Sequence, residues 1–330
     1  MSWAGKRVLV TGADGFIGSH LVEALIAAGA QVRGLCLYNS QGRLGWLDYI
    51  ASDMREQVDA RLGDIRDARF VESICEEIEV VFHLAALIAI PYSYVAPQSF
   101  IETNVSGALN ILEAVKRQGV GRLVLASTSE VYGTPSELPI RESHPLRAQS
   151  PYAASKVGAD QLALSYHSSF AVPVVVLRPF NTYGPRQSTR AVVGTILAQL
   201  LDGRAEVQLG RLDTRRDLTF VDDVVRGFLC AGECAGIEGE TIQLGTGTSY
   251  SVQQVFNAAC GILNVKARAV EDPRRIRPAA SEVLVLQSDP SRAAHKLGWK
   301  AEISLEAGLR RTADWMRANL DLYRPEFHYV

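Results

Sequence analysis

Short apolar runs alternate with amphipathic helical patterns through the first half of the chain. The strand candidates are Arg7–Thr11, Gln31–Leu37, Ala60–Leu62, Val80–Leu84, Arg122–Ala126 and Val172–Leu177. Helical patterns between them are clearest over residues 16–28, 100–118 and 152–169. This alternation predicts an α/β fold, in which helices cover both faces of a doubly wound parallel sheet.

The second half of the chain has a more mixed pattern. Helix-like stretches lie near residues 189–202, 222–234, 251–263 and 304–320, with short strand-like runs between them. We therefore predict a larger domain formed mainly by residues 1–178. Residues 179–330 are expected to form mainly a smaller mixed α/β lobe, with segments near 210–250 returning to the first domain. In this architecture a ligand usually binds between the lobes, at the carboxyl ends of the strands.

Composition and charge narrow the class of protein. Hydrophobic residues make up 47% and charged residues 21% of 330 residues, an ordinary globular balance. The net charge of −2 gives no electrostatic case for binding nucleic acid or an acidic membrane. The five cysteines include no Cys-x-x-Cys pair, so no metal site is predicted. Because no signal peptide or membrane-spanning run is apparent, we expect a cytoplasmic protein.

A glycine-rich turn, Thr11-Gly12-Ala13-Asp14-Gly15-Phe16-Ile17-Gly18, follows the first strand candidate and opens the first helix. Its first glycine permits a tight turn, the second lets the backbone approach a pyrophosphate, and the third lets helix and sheet pack closely. The helix N-terminus then faces the phosphates with free N–H groups. The turn predicts an NAD(P)-binding Rossmann domain with cofactor contacts at Gly12, Asp14, Gly15, Phe16, Ile17 and Gly18.

The choice between NAD and NADP depends on the end of the second strand. An acidic residue there would bind the adenosine ribose of NAD, but the run Cys36–Ser40 contains no carboxylate. Arg33 and Arg43 could meet the 2′-phosphate of NADP or could be solvated. We predict NAD and leave NADP open. The third and fourth strands end in further predicted cofactor contacts, namely Asp64, Ile65, Leu84, Ala85 and Ala86. For the first of these, a polar turn that caps the next helix is the alternative, and His83 is interpreted as a satisfied core histidine.

Two nearby segments carry a hydroxyl, a carboxylate, a phenol and an ammonium group. Thr128, Ser129 and Glu130 form the first segment, while Tyr152 and Lys156 lie four residues apart and share one helix face. A phenol can take the proton of an alcohol while a hydride leaves the carbon. A positive charge ~4 Å away contributes roughly 4 kcal/mol at an effective dielectric of about 20.

That contribution corresponds to about three pKa units. Lys156 and a nicotinamide cation are therefore expected to bring the pKa of Tyr152 to about 7, an efficient value for a general base. Glu130 adds a second base, which plain alcohol oxidation does not need. The alternatives are a chance surface pair for Tyr152 and Lys156, and a capping or turn carboxylate for Glu130.

Several motifs together are similar to those of the extended short-chain dehydrogenase/reductase superfamily. Besides the glycine turn and Tyr152-Ala153-Ala154-Ser155-Lys156, they are Arg178–Arg186, Arg216-Asp217, Phe220–Val224 and Leu297-Gly298-Trp299. Within this superfamily the chain resembles the nucleotide-sugar epimerases and dehydratases. The segments Val81–Tyr94 and Gln149–Tyr152 are most similar to NAD-dependent 4,6-dehydratases of the legionaminic-acid-pathway type. The triplet Thr128-Ser129-Glu130 is also similar to that of GDP-mannose 4,6-dehydratases.

The resemblance implies conversion of a nucleotide-linked hexose, of N-acetylglucosamine or glucose type, to its 4-keto-6-deoxy form. Tyr152 would take the C4 hydroxyl proton with Thr128 bonded to the same hydroxyl, and Glu130 would remove the C5 proton before the C6 hydroxyl leaves. One residue departs from the dTDP-glucose 4,6-dehydratases, whose triplet is Thr-Asp-Glu and whose Asp is the acid toward C6. Ser129 stands there in this chain, so Glu130 or a water held by Ser129 would deliver that proton.

The resemblance also implies partners. The diphosphate of a UDP- or GDP-linked sugar is expected to bind Asn181, Arg186, Arg216 and Arg277, because a guanidinium presents a planar fork to phosphate oxygens. A structural salt bridge is the alternative for each arginine. Tyr92 is expected to line the sugar pocket or to serve only in packing. The helices over 100–118 and 152–169 resemble those of a four-helix dimer contact, so a homodimer is expected.

Three alternatives to the dehydratase remain. A nucleotide-sugar 4-epimerase would use the same first oxidation, but simple 4-epimerases usually lack the glutamate. A UDP-glucuronate decarboxylase shares the Thr-Ser-Glu triplet, but its tyrosine lies in Tyr-Asp-Glu-Gly-Lys rather than Tyr-Ala-Ala-Ser-Lys. A non-catalytic NAD sensor or scaffold would not need the set formed by Thr128, Tyr152 and Lys156.

Overall fold

A seven-stranded parallel sheet forms the centre of the protein. The computed structural model describes residues 3–323. The strands of this sheet are β1 (Arg7–Thr11), β2 (Gln31–Leu37), β3 (Val58–Gly63), β4 (Val80–His83), β5 (Arg122–Ala126), β6 (Val174–Pro179) and β10 (Thr241–Leu244). Their spatial order is β10-β6-β5-β4-β1-β2-β3, which is the doubly wound Rossmann arrangement that the alternating sequence pattern predicts.

Helices cover both faces of the sheet. The helices are α1 (Phe16–Ala27), α2 (Ser52–Arg55), α3 (Ala68–Ile74), α4 (Ile90–Val95), α5 (Pro97–Phe100), α6 (Gly107–Gln118), α7 (Pro151–Phe170), α8 (Val192–Leu201), α9 (Val221–Glu233), α10 (Val252–Leu263), α11 (Ser291–Leu297) and α12 (Leu305–Ala318). Helices α1 and α9 contact each other on one face, and α3, α6 and α7 lie together on the other.

The alternation of side chains along β1 shows why two cores form. Val8 and Val10 belong to the core beneath α1 and α9, while Leu9 between them belongs to the core beneath α3, α6 and α7. All three side chains are fully buried. Successive strand residues point to opposite faces, so an uninterrupted apolar run is what a sheet covered on both sides requires.

The remaining strands lie in two smaller sheets of the C-terminal half. They are β7 (Asn181–Tyr183), β8 (Glu206–Leu209), β9 (Arg215–Phe220), β11 (Ser249–Ser251), β12 (Arg268–Glu271) and β13 (Val285–Leu286). Strand β9 pairs with β7, β11 and β13, while β8 pairs with β12. Between them in sequence, β10 joins the edge of the large sheet beside β6. The division into domains at residue 178 remains a prediction.

The segment predicted as one helix over residues 100–118 differs from that expectation. Ile101–Ser106 forms a π-helical turn, and α6 begins only at Gly107. Asn104 lies within this wide turn, where its side chain bonds both the N–H and the carbonyl of Leu87 at 2.8 and 2.9 Å. The turn therefore brings a polar side chain toward the end of β4, a use that is common for π-helical turns.

Among residues 3–323, no helix combines the length and the apolar character needed to cross a bilayer.

Helices α6 and α7, for which a homodimer contact is expected, lie against each other. Leu109 and Phe170 on them are exposed apolar side chains. The homodimer remains a prediction.

Candidate active site

The glycine-rich turn brings the end of β1 against the segment that follows β4. Gly12 has φ +69°, and a Cβ there would lie 2.8 Å from the backbone nitrogen of Ala85. A Cβ on Gly18 would overlap the carbonyl oxygen of Gly12. Both positions therefore require glycine for close backbone approach. The backbone of the glycine turn and of Leu84–Ala85 therefore forms one surface, which we call the ledge, and no side chain projects from it at Gly12 or Gly18.

The N-terminus of α1 is left free for an anion. Gly15 occupies the cap position and supplies no side chain to bond the first helical N–H groups. A helix end without such a cap needs another partner for these donors, and a pyrophosphate is well suited to them. The bare ledge and the free helix end together fit a dinucleotide, and the cofactor contacts at Gly12, Gly15, Phe16, Ile17 and Gly18 stay predictions.

Buried hydrogen bonds of Thr11 and His83 stabilise the ledge. The Thr11 hydroxyl lies 2.8 Å from Nδ1 of His83 and accepts hydrogen bonds from the N–H groups of Leu84 and Ala85, each at 3.1 Å. Burial lowers the pKa of His83 to about 3, so the imidazole is neutral at physiological pH. His83 is a buried, hydrogen-bonded histidine, as the sequence interpretation has it.

A cavity of about 570 Å³ lies beyond the ends of β2 and β3. It is lined by Leu37, Tyr38, Gly63, Asp64, Arg66, Asp67 and Phe70. Asp64 pairs with Arg66 at 2.6 Å, which lowers the pKa of the carboxyl. The N-cap of α3 is Asp67 rather than Asp64, so the capping alternative for Asp64 is wrong. The side chain of Ile65 packs under Gly107 in the core.

The end of β2 carries a carboxylate that the sequence analysis did not place there. Asp14, from the glycine turn, accepts a hydrogen bond from the N–H of Leu37 at 3.1 Å. Burial raises the pKa of this carboxyl, and the bond from Leu37 opposes the rise. Arg33, considered for the 2′-phosphate of NADP, instead donates to Asp59 at 2.8 Å and to the carbonyl of Ile74 at 3.0 Å. An acidic group at the end of β2 suits an unphosphorylated ribose.

Tyr152 and Lys156 lie on the first turns of α7, whose N-cap is Ser150. The Tyr152 phenol is buried and hydrogen-bonded to Thr128, and Lys156 donates to the carbonyl of Ala126 at 2.6 Å. The pKa of Tyr152 is raised, first by burial and then by Glu130 and Asp160. The expectation of a pKa lowered by Lys156 is therefore wrong for the chain alone, because desolvation dominates and the ammonium is directed to a carbonyl.

Asp160, which sequence reasoning missed, interacts electrostatically with Lys156. It is fully buried, pairs with Arg178 at 2.9 Å and accepts from Ser127 at 2.7 Å. Burial lowers the pKa of Lys156, and the negative charge of Asp160 opposes this by favouring the ammonium form. The available signal was an acid four residues after Lys156, on the same buried helix face.

The π-helical turn provides a second support that sequence reasoning missed. Asn104 donates to the Ser155 hydroxyl at 2.9 Å, and Ser155 donates to the carbonyl of Tyr152 at 2.7 Å. Tyr92 contacts Phe100, with ring centroids 6.0 Å apart, and Phe100 contacts Tyr152 at 6.2 Å. Tyr92 is itself 38% exposed, so it lies at the rim rather than at the reacting group.

Glu130 interacts electrostatically with the Tyr152 phenol and also approaches a group of charged side chains. It belongs to a 3₁₀ turn, Ser129–Tyr132, and its carboxylate raises the pKa of Tyr152. Oε1 of Glu130 lies 3.9 Å from Nη1 of Arg277. The same guanidinium nitrogen lies 3.9 Å from Glu282, which also pairs with Arg216 at 3.3 Å. Sequence reasoning missed Glu282, since nothing in its local pattern indicates this contact.

The remaining predicted residues take different places. Ser129 is buried beside Glu130, and Asn181 has a buried Oδ1 with no hydrogen-bond partner among residues 3–323. Arg186 does not join the other arginines, because its guanidinium bonds Glu23 and, at 2.9 Å, His20 of α1. The structure thus gives Arg186 the salt-bridge alternative instead of the expected diphosphate contact.

Comparison with known proteins identifies the family of this chain. The family model of GDP-mannose 4,6-dehydratase matches residues 9–312. The chain belongs to this family. It is 35% identical over 316 residues to a UDP-glucose 4-epimerase of Mycolicibacterium smegmatis, covering 94% of this chain and 98% of the other. It is also 34% identical over 321 residues to a dTDP-glucose 4,6-dehydratase of Actinoplanes, covering 95% and 98%.

Solved structures agree with the family assignment. The dTDP-glucose 4,6-dehydratase of Streptomyces venezuelae, solved with NAD bound, has a TM-score of 0.82 and 30% identity over 97% of this chain and 99% of its own. Two epimerase structures similar to this chain also contain NAD. The resemblance to nucleotide-sugar dehydratases and epimerases is thereby confirmed, and so is NAD as the cofactor of the family. The relatives divide between dehydratases and 4-epimerases.

Proposed function

We propose that this family member is a nucleotide-sugar 4,6-dehydratase, which converts a nucleotide-linked hexose to the 4-keto-6-deoxy sugar. NAD, when bound, would accept a hydride from C4 and return it to C6 after water has left, while C5 regains a proton from solvent, so the overall reaction is redox-neutral. The backbone of Gly12–Gly18 and of Leu84–Ala85 would hold it, with Asp14 and Asp64 beyond the ends of β2 and β3.

Tyr152 and Thr128 act on the C4 hydroxyl. Thr128 already hydrogen-bonds the phenol, so a sugar hydroxyl placed between them would be bonded by both. Tyr152, as a phenolate, takes the proton of this hydroxyl during oxidation at C4. Because burial raises the pKa of the phenol in the chain alone, the positive nicotinamide ring of bound NAD would have to favour the phenolate. Lys156 lies on the same helix face and donates to the carbonyl of Ala126. The buried position excludes water and fixes the geometry that proton transfer requires.

Glu130 then removes the C5 proton. A C4 ketone makes this proton acidic because the carbanion delocalises into the carbonyl, and the C6 hydroxyl can leave as water. A protonated Glu130 is a suitable donor toward that leaving hydroxyl, since Ser129 provides no carboxyl at the neighbouring position. The observation that supports this proposal above all is that Thr128 joins the two groups: its hydroxyl accepts from the N–H of Glu130 at 3.2 Å and also bonds the Tyr152 phenol.

The second candidate is a nucleotide-sugar 4-epimerase. It is favoured by the epimerases among the relatives and by Ser129 in place of a second acid. An epimerase needs Tyr152 and Thr128 for oxidation and for return of the proton, but it does not need a base at C5. The two candidates therefore differ in the role of Glu130.

Mass spectrometry of a panel of UDP-, GDP- and dTDP-linked sugars in deuterated water distinguishes them. A dehydratase should form a product lighter by one water, with deuterium incorporated at C5, without added cofactor. Glu130→Gln should slow this by about 10²–10⁴, the usual contribution of a general base, while reduced NAD accumulates on the enzyme. An isomer of unchanged mass without C5 deuterium would contradict the dehydratase and support the epimerase. Dehydration by Glu130→Gln at the parent rate would contradict the role of this residue.

A further inference from the structure

Four charged side chains from three segments of the chain form a cluster that includes Glu130. They are Glu130 of the Ser129–Tyr132 turn, Arg216 of β9, and Arg277 and Glu282 of the segment between β12 and β13. The side chains of Arg216 and Glu282 are each 9% exposed, that of Glu130 is 13% exposed and that of Arg277 is 26% exposed. We call this group the charge quartet. Its two positive and two negative groups balance.

Within the quartet, the two arginines are bound very differently. Arg216 donates to its neighbouring carbonyl at 2.9 Å and to Glu282 at 3.3 Å, so both of its terminal nitrogens have a partner. Nη1 of Arg277 is buried and has no hydrogen-bond partner within residues 3–323. It lies 3.9 Å from Glu130 and equally far from Glu282. Arg277 is therefore attracted to two carboxylates but bonded to neither.

A buried guanidinium nitrogen without a hydrogen-bond partner has a strong tendency to acquire an acceptor, since leaving a charged donor without one is costly. A diphosphate offers oxygens in the bidentate arrangement that suits arginine. Its negative charge would also upset the balance of the quartet, because Nη1 of Arg277 already lies 3.9 Å from each of two carboxylates, and a bidentate contact to phosphate oxygens would draw the guanidinium away from Glu130. Glu130 and an incoming diphosphate are thus competitors for one cation.

We propose that Arg277 is shared between Glu130 and the diphosphate, so that nucleotide binding releases the Glu130 carboxylate from its counter-charge. Without substrate, Arg277 holds the carboxylate toward the phosphate end of the cleft. When the diphosphate binds, Arg277 turns to it and Glu130 becomes free to approach the sugar carbon. The catalytic meaning of this release rests on the proposed function. The competition itself concerns binding alone.

Competition has a measurable counterpart, because coupling between two sites is reciprocal. If Glu130 weakens diphosphate binding by occupying Arg277, removing its charge must strengthen that binding. Glu130→Gln is therefore expected to bind a nucleoside diphosphate about fivefold to tenfold more tightly than the parent. The ordinary expectation for a mutation in a substrate cleft is the opposite, a weaker complex.

The experiment is a double-mutant cycle measured by calorimetric titration of the full chain with UDP, dTDP and GDP. The variants are Glu130→Gln, Arg277→Met and the two combined. Arg277→Met should weaken binding, and the gain from Glu130→Gln should vanish in its background. Glu137→Gln serves as the matched control, since it removes the same charge from an exposed residue seven positions away and should leave affinity unchanged.

Equal or weaker binding by Glu130→Gln would overturn the proposal. So would a gain that persists in the Arg277→Met background, or failure of all three nucleotides to bind the parent. If the methionine variant does not fold, Arg277→Lys replaces it, and the gain should then shrink to less than half. Because no turnover is involved, failure of this cycle leaves the dehydratase in place. If Glu130→Gln dehydrates the substrate at the parent rate, Glu130 has no role in dehydration, but the binding affinities of the double-mutant cycle are not affected by that result.

Discussion

The cofactor end and the sugar end of the cleft are built in different ways. At the proposed cofactor end, backbone atoms of the glycine turn and of the segment after β4 form the surface, and Gly12 and Gly18 keep it free of side chains. At the proposed sugar end, charged side chains from distant segments meet, with Glu130 and Glu282 about 150 positions apart in the sequence.

This difference affects how each end responds to change. A backbone ledge offers the same N–H groups whatever the neighbouring side chains are, so it suits a cofactor shared by many enzymes. A set of side chains can be altered one residue at a time, which alters the chemistry without disturbing the ledge. The relatives of this chain include both dehydratases and epimerases.

The strongest test of this separation is Tyr152→Phe. Removal of one oxygen from the sugar end should reduce turnover by about 10²–10⁴, while bound NAD, measured by extraction and absorbance, should be unchanged. Tyr49→Phe is the control, because this tyrosine is 47% exposed, and it should keep full activity. Loss of NAD together with activity in Tyr152→Phe would show that the two ends are not independent.

Gly18→Ala should break the cofactor end instead. Its Cβ would overlap the Gly12 carbonyl oxygen, so the turn must shift, at a cost of about 1–3 kcal/mol in the free energy of unfolding. Urea denaturation measures this loss, and the purified variant should retain less NAD. Gly261→Ala in α10 meets nothing within 4 Å and should instead gain up to about 1 kcal/mol. Equal stability of the two variants would contradict the tight contact.

Asp14→Asn should alter cofactor choice without a loss of fold. The carboxylate at the end of β2 repels a 2′-phosphate, and at ~4 Å in water this repulsion is about 1 kcal/mol or more. The ratio of NADP to NAD affinity, measured by fluorescence titration, should therefore rise about tenfold. Asp53→Asn, at an exposed helical position, is the control. An unchanged ratio in Asp14→Asn would place the ribose elsewhere.

The smallest effect concerns pH and the support of the ledge. The pKa of His83 is lowered to about 3, so between about pH 3 and pH 6.5 the unfolded chain takes up a proton there and the folded chain does not. The free energy of unfolding should therefore fall as pH decreases below 6.5, by up to about 1.4 kcal/mol per unit. In His83→Gln the fall between pH 6.5 and 5.5 should be about 1 kcal/mol smaller in urea denaturation. Identical pH slopes would count against a neutral His83.

Most of the large sheet could be predicted because its signals are local. β1, β2 and β5 begin and end at the predicted residues, since an apolar strand between turn residues is recognisable in a short window. Residues 100–118 were less predictable. In the π-helical turn there, Asn104 bonds Leu87 of the segment after β4, and helical periodicity carries no information about such a contact.

The candidate site divides in the same way. The spacing of Tyr152 and Lys156 indicates a shared helix face, and α7 provides it. The direction of the Tyr152 pKa was not predictable, because burial is a property of the folded chain and it outweighs the expected effect of the lysine. The partners of Arg186 were not predictable either, because Glu23 and His20 lie on α1, more than 160 residues earlier.

The sequence by itself determined most strands of the large sheet, the glycine turn and the types of reactive group. Each of these depends on residues within a few positions of one another. Only the tertiary structure decided which charges meet. Asp14 supplies the acid that β2 lacks, Asp160 supports Lys156, and Glu282 shares Arg277 with Glu130. Electrostatic energy depends on distance and burial in space, and both are set when remote segments pack together.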